Sequence, residues 1–538
     1  MRRHQGGRAR ALTGRLPSRT MAWLAAALLG LAFADAQAQQ AEPDSLPALR
    51  PYAPGTLQQG AGATGNRPGY ATLRSDEDWS WLADPTRRTD PLDPLKYVVL
   101  SWSDQVFMTF GGDARFSVRD YDNEAFGQGR GGNTALYVRL NPYASIQFGD
   151  RLRLFGALKY GDLAGKRAPL PPAERDRVDL HEAFAEVAFG DLLRLDERDT
   201  FVRVGRMELH YGAGRLISIR EKPNVRRDFD GGLVRLRLGP MVADAFLVEP
   251  TTDSSGSFDN RQDHRQTLWG FYTSTALPGR SNLDLFYIGY RRGQSPYDIP
   301  ASVQAPGAAG GGSMSAGSSV GGMMSTPVDE TRHIIGARWW RGGDEQPGWL
   351  LDMEAGMQAG DAAGRAGRRY SVFAWYAAGR AEYLFGDVPL RPSFGVDFGV
   401  NSGDGNAAGG HIGTFRAPFP PGRFFGEANP IGPGNIAGLR PLVAIRPAER
   451  LTLQAEANVF WRVSTRDGIY TVADTPLRGT LGSRNYVGTD VTLVATYRIG
   501  PHTTLEAKVA RFFPRGYLAD NRPNLRTTYL ELIASYRF

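Results

Sequence analysis

From about Phe107 to the end of the chain, apolar residues recur at every second position. Ala114, Phe116 and Val118 alternate with Asp113, Arg115, Ser117 and Arg119, and Leu136, Val138 and Leu140 with Tyr137, Arg139 and Asn141. Leu152, Leu154 and Leu158 share one side, with Arg153, Phe155 and Lys159 on the other; Val234, Leu236 and Leu238 alternate with Arg235 and Arg237. The second half repeats the pattern around Leu351–Met357, Phe373–Tyr383, Leu453–Trp461 and Val491–Tyr497. Period two with one apolar face is the signature of strands, and no comparable run follows the 3.6-residue period of a helix. The connections alternate in length. Gly149-Asp150, Pro447-Ala448-Glu449 and Gly500-Pro501-His502 read as tight turns, whereas Gly161 to Arg177, Ser295 to Pro327 and Ser402 to Gly438 read as long loops. Short turns at one end and long loops at the other predict an all-β fold, a transmembrane antiparallel β-barrel.

A soluble sandwich also alternates, but it turns its apolar face inward. Here the opposite face carries charges of both signs, as suits a wet lumen, while Trp375, Tyr383 and Trp461 suit interfacial girdles. A bilayer supplies no water to backbone groups, so a spanning sheet must close on itself. About 440 residues of barrel correspond to roughly 16–18 strands, wide enough for an aqueous channel. The last strand places Leu530, Leu532, Ala534 and Tyr536 on one face and ends in Phe538, an ending that resembles the assembly signal of bacterial outer-membrane barrels.

The amino terminus adds the export route. Met21 to Ala34 is a 14-residue apolar run behind a basic stretch, followed by Ala36-Gln37-Ala38. Residues 1–38 therefore read as a secretory signal peptide, too short in its apolar run to span as a helix. Residues 39–95 read as a lead-in, rich in Pro, Gly, Ala and Gln and flexible, with something more specific starting at Trp79, Trp81 and Pro85. The barrel is placed at 96–538, with 295–327 as a low-complexity loop. The net charge of +7 owes +5 to the leader, with its six arginines and one aspartate, leaving about +2 for the rest. That gives no warrant for nucleic-acid binding. There is no cysteine, so thiolate metal sites and thiol nucleophiles are excluded. All but five of the 63 basic residues are arginine, which pairs carboxylates bidentately.

Several blocks, in order along the chain, carry a family resemblance: Glu77-Asp78-Trp79-Ser80-Trp81-Leu82-Ala83-Asp84-Pro85, Asp93-Pro94-Leu95-Lys96-Tyr97 and Phe110-Gly111-Gly112-Asp113-Ala114-Arg115. Asp179 to Phe184 follows, then Val204-Gly205-Arg206-Met207-Glu208-Leu209 with Tyr211-Gly212 and Arg215-Leu216, the most specific of them. Asn224 to Arg227, Phe229-Asp230-Gly231, Ser402-Gly403-Asp404, Phe424-Phe425-Gly426 and Phe460-Trp461-Arg462 complete the series. From about Leu73 to Phe538 the chain resembles the alginate export family of outer-membrane barrels. The resemblance implies a wide single-chain barrel, with 18 strands favoured, that passes a negatively charged polyuronate across the outer membrane of a Gram-negative bacterium. Met207, where similar proteins commonly have Gln, and the 295–327 insert depart from the family pattern.

Counting the charged face as lumen, the candidate cations along a substrate path are Arg115, Arg119, Arg139, Arg153, Lys159, Arg203, Arg235, Arg237, Arg380, Arg462, Arg498 and Lys508. The candidate anions are Glu182, Glu186, Asp352, Glu354, Glu382, Asp397, Glu456, Asp490 and Glu506. Arginine rings select anions in pores, and weak repeated sites let a polyanion pass. The bland alternative is that these charges pair across strands and brace the wall. Arg206 shares parity with Val202 and Val204, so either it faces outward or a bulge intervenes.

No His-Glu-x-x-His, nucleophile elbow or helix-linked glycine motif is present; His181-Glu182 is a dipeptide on a strand, and Gly127 to Gly132 lies in a loop. The reading is therefore a channel and not an enzyme, with no cofactor and no metal. It exports an anionic polysaccharide by diffusion through an arginine-lined lumen. The alternatives are an uptake porin for small organic acids or acidic sugars and, in another class, an outer-membrane barrel enzyme or a blocked structural barrel. Expected partners are the substrate, outer-membrane lipid, the barrel assembly machinery and a periplasmic export complex, with no nucleic acid; the barrel is expected to be a monomer.

Overall fold

A computed structural model of the chain describes residues 70–100, 105–129, 133–166, 172–195, 199–279, 281–295, 328–342, 347–364, 369–405, 410–422, 424–474, 476–478 and 482–538, together with Leu170. The signal peptide and nearly all of the low-complexity loop lie outside the described residues. The alternating segments form a closed barrel of 18 antiparallel strands. The spanning strands are β1 (Val106–Asp122), β2 (Asn133–Phe148), β3 (Leu152–Ala164), β4 (Asp176–Ala188), β5 (Phe201–Met207), β6 (Phe229–Leu238), β7 (Met241–Thr252), β8 (Gln266–Leu277) and β9 (Ser281–Ser295). They continue as β10 (Val328–Arg341), β11 (Gly348–Gly364), β12 (Arg369–Leu384), β13 (Ser393–Asn401), β14 (Ile436–Ala448), β15 (Leu451–Arg462), β16 (Tyr486–Ile499), β17 (Thr503–Pro514) and β18 (Thr527–Arg537). Each pairs with its neighbour in sequence, and β18 closes on β1 with Asp113 opposite Arg537 and Phe116 opposite Ala534. No described helix is long and apolar enough to cross a membrane.

Side-chain parity follows the sequence pattern closely. Phe116, Val204, Leu247, Ile335, Met357 and Leu493 are more than half exposed on the outer face. Their neighbours Arg115, Ser117, Arg203, Phe246, Ile334, Gln358 and Thr492 are buried inside. Chain reversals at one end are short: Gly149, Gly239 and Gly500 take positive φ at three of them, a conformation that costs a glycine little. The other end carries the longer connections, here L1 to L9 in chain order. They include L3 (208–228), L4 (253–265), L7 (402–435), L8 (463–485) and L9 (515–526).

The stretch ahead of the barrel corrects the expectation of a flexible lead-in reaching residue 95. Residues 70–97 form short helical turns that pack inside the turn end of the barrel. Lys96 Nζ donates to the Phe538 carbonyl at 2.8 Å, and its own carbonyl accepts from Thr109 Oγ1 at 2.8 Å. Gly111 makes room for this lysine: a Cβ there would meet Lys96 Nζ at 2.5 Å. The lysine also lies over the rings of Trp79, Tyr70 and Tyr143. Tyr143 donates to Glu77 at 2.7 Å, and Arg153 to the Ser75 carbonyl. Burial pulls the Lys96 ammonium down to about 8. The barrel proper begins at Val106, ten residues after the expected boundary.

Candidate functional site: the barrel lumen

L3 and L7 fold inward and meet. Ile217 bridges Phe419, Ser218 N donates to the Phe419 carbonyl at 3.0 Å, and Phe419 N donates to the Leu216 carbonyl at 2.9 Å. Arg227 ties the two loops again through the carbonyls of Ser218 and Pro420. Leu209, Tyr211, Leu216, Ile217, Phe415 and Phe419 form a buried cluster with inward aromatics of the wall, among them Phe184, Phe246, Tyr272 and Phe286. The lumen is therefore packed over one arc of the wall rather than left as an open tube.

A charged network anchors L3. Lys159 Nζ lies 2.8 Å from Asp228, 3.3 Å from Asp253 and 3.5 Å from Asp176. His181 joins Asp228 at 3.0 Å and Glu208 at 2.9 Å. Arg226 meets Glu221 at 2.6 Å and Glu208 at 3.4 Å. Burial would raise the Asp228 carboxyl, but Lys159 and His181 hold it well below the usual range. Burial would lower Arg226, yet Glu208, Glu221 and Asp113 keep it firmly charged. His181 and Glu182 both point inward because β4 carries an irregular register beside Leu158, where a regular strand would separate them. His181, Glu182 and Glu208 are close enough to hold a metal ion, as are Asp176, Asp179 and Asp259. The first set spends both imidazole nitrogens on Glu208 and Asp228; the second accepts from Asn260 and two backbone amides of L4. Both sets work as loop anchors.

This arrangement sorts the candidate residues. Arg115, Arg119 and Arg139 face inward but are covered by L3, bonding the carbonyls of Glu221, Lys222 and Pro223 and the carboxylates of Glu531 and Glu221. Arg203 pairs Glu186 at 2.7 Å, with Arg153 at 3.7 Å from the same carboxylate group; Arg235 pairs Asp244 at 2.7 Å and Arg237 pairs Asp199 at 3.0 Å. Glu182 accepts from Glu208 N. Asp490 accepts from Asn429 and Ala428 of L7. Lys508 meets Glu506 at 2.6 Å, and Arg498 stands near the turn end, opposite Thr504. Arg462 departs from the lumen reading. It is buried at the end of β15, donates to the carbonyls of Thr465, Asp467, Gly482 and Arg484, and stacks on Tyr517, so it holds L8. Arg206 stays on the outer parity and pairs with Asp230 of β6 at 2.7 Å, with no bulge.

A cavity lies between the inner loops and strands β11 to β15. Its lining includes Arg215 and Ala213 of L3, Phe424 and Phe425 of L7, and Asp352, Tyr376, Arg380, Asp397, Asn401, Arg440 and Asn458 of the wall. Along its wall runs a ladder of alternating charge on four successive strands, whose middle members Arg380, Asp397 and Arg440 line the cavity. Glu382 accepts from Arg380 at 2.6 Å, Arg380 lies 3.6 Å from Asp397, Asp397 pairs Arg440, and Arg440 reaches Glu456 at 3.6 Å. Arg440 keeps a quarter of its side chain exposed, where Arg338 keeps none. Deeper in the wall, Asp352 and Glu354 receive Arg215 at 3.2 and 2.8 Å, and Asp352 also receives Arg338 at 2.8 Å. The sequence reading missed Arg215, Arg338 and Arg440. Arg338 lies on the same parity as Glu330 and Arg332, a signal present in the sequence; Arg440 follows a stretch read as loop, and Arg215 reaches the site only through the folding of L3.

A closed barrel of this size, with tight turns at one end, long loops at the other and an ion-paired inner wall, defines an outer-membrane channel protein of the porin type. The chain belongs to the alginate export family, whose sequence profile matches residues 106–527. Among solved structures, it is similar to OccK9 (OpdG) of Pseudomonas aeruginosa, at 12% identity over 80% of this chain and 98% of that one, with a TM-score of 0.52. It is similar also to a BenF-like porin from Pseudomonas fluorescens Pf-5, at 10% identity over 80% and 98%, with a TM-score of 0.49. At such identities the likeness concerns the fold alone. No curated protein matches the chain.

Proposed function

We propose that the protein passes an anionic polysaccharide, an alginate-like polyuronate, across the outer membrane by diffusion along the β11–β15 side of its lumen. The observation that carries this reading is the ladder Glu382–Arg380–Asp397–Arg440–Glu456, whose members Arg380, Asp397 and Arg440 line the cavity together with Arg215. Each guanidinium there already has a carboxylate partner, so an incoming uronate exchanges one carboxylate for another and is released as easily as it is caught. Weak, repeated sites of this kind sustain transit where one tight site would stall it. Phe424 and Phe425 offer apolar faces beside the ladder for the sugar rings. Lipid contacts the outer face, the assembly machinery reads the strand that ends at Phe538, and a periplasmic export complex meets the turn end.

One observation favours a second reading. The L3–L7 clasp and the docked 70–97 segment narrow the lumen, which suits uptake of small organic acids or single acidic sugars. Single-channel currents in a planar bilayer separate the two. Block that deepens with uronate oligomer length supports the polymer path. Equal sensitivity to monomers and oligomers supports the small-acid porin, and insensitivity to both removes the uronate reading.

A further inference from the structure

We infer that the outer surface of β17 and β18, at the loop end, is a binding site for the phosphate group of an anionic lipid of the outer leaflet, held by Arg511 and Arg526. Along β17, Lys508, Ala510 and Phe512 are buried inside, while Val509 is 43% exposed and Arg511 is exposed on the same outer parity. Arg511 therefore stands on the lipid face, three residues from the end of its strand. Arg526, exposed, enters β18 beside it. Both guanidiniums converge on one ring: their central carbons lie 5.6 and 5.7 Å from the centroid of Phe513.

Among the described residues neither guanidinium has a carboxylate partner. That sets them apart from the inner wall, where Arg119, Arg203, Arg235 and Arg338 meet carboxylates at 2.6, 2.7, 2.7 and 3.0 Å. A lipid-facing arginine is costly at the bilayer midplane and nearly free of cost near the interface. Its tolerated depth is thus the headgroup level, which the side chain reaches by extending toward water. The neighbouring rings mark the same level. Trp461 of β15 and Tyr486 of β16 pair at 6.3 Å, and Thr489 of β16 stands opposite Phe513. Phosphate is the anion that suits two planar guanidinium forks, each able to donate two parallel hydrogen bonds. Val491 and Val509, exposed at 41% and 43% on the strands below Arg511, supply the apolar contact that an acyl chain needs and a free phosphate ion does not. The occupant is therefore a phosphorylated lipid. The site lies outside the barrel wall, separate from the cavity of the proposed substrate path.

The test uses the full mature chain refolded in maltoside micelles, which contain no phosphate. Native mass spectrometry reads retention of bis-phosphorylated lipid A, dephosphorylated lipid A and inorganic phosphate by the wild type and by R511Q/R526Q. The expected result is one phosphorylated lipid retained by the wild type, with retention by the double variant weaker by at least about tenfold, since both guanidiniums are lost. Dephosphorylated lipid and inorganic phosphate are not retained. Both side chains are exposed, so heat-modifiable mobility on gels of the double variant matches the wild type and shows that the barrel has formed. Equal retention by the double variant, equal retention of dephosphorylated lipid, or inorganic phosphate held as tightly as the lipid would each overturn the proposal.

Discussion

At the scale of single residues, the difference between a bracing charge and a working one is exposure to the cavity. Arg119 and Arg338 are sealed against carboxylates, whereas Arg380 and Arg440 share Asp397 in contact with the cavity. Replacing Arg440 with Gln removes one charge-assisted contact worth about 1.5 kcal/mol, so block by uronate oligomers is expected to weaken about tenfold. Dose–response curves of single-channel current check this. Arg462 makes the opposite prediction. Its guanidinium satisfies four loop carbonyls, so R462M lowers the thermal unfolding temperature and leaves ion selectivity untouched. A selectivity change at normal stability would return Arg462 to the lumen. Period-two parity was enough to place most of these side chains, because the lipid face admits few charges and register fixes the rest. Parity says nothing about what covers an inward residue, which is why Arg115 and Arg380 looked alike in the sequence.

At the scale of elements, two pieces of chain that enter the barrel decide its width. The 70–97 segment grips the seam between first and last strands through Lys96 and Phe538, and through His502, which meets Asp90 at 2.8 Å and Tyr70 at 3.0 Å. Deleting residues 39–97 is expected to raise single-channel conductance at the turn end; unchanged conductance would mean that the segment only fastens the seam. Its tryptophans were visible as a specific signal, but its docking depends on partners more than 400 residues away in Phe538 and His502, beyond any local pattern. L3 carries a pH dependence. Burial pulls the His210 imidazole down to about 4, so the docked loop keeps it neutral while a released loop protonates it near the ordinary value of about 6.5. Between those two values the released state binds more protons, so docking weakens as pH falls from about 6.5 toward 4. Proteolysis of L3 is expected to accelerate across that window, and H210F should remove the acceleration.

At the scale of the whole molecule, the barrel was legible because closure in lipid demands alternation along every strand, and the carboxy-terminal strand and leader agreed with it. Reading the strands did not reveal that the lumen is divided, since L3 and L7 are Gly- and Pro-containing stretches whose inward fold rests on bridges such as Ile217 to Phe419. The inner wall is uneven: packed aromatics and sealed ion pairs along much of it, and on β12 to β14 a charged stretch, Arg380, Asp397 and Arg440, that lines the cavity. We propose that these arginines make the channel a conduit for anions. The most direct measurement is the reversal potential of the refolded barrel across a salt gradient, for the wild type and for R380Q/R440Q. An anion-selective wild type is expected, with a selectivity that falls in the double variant. A cation-selective wild type, or a double variant with the same reversal potential, would contradict it.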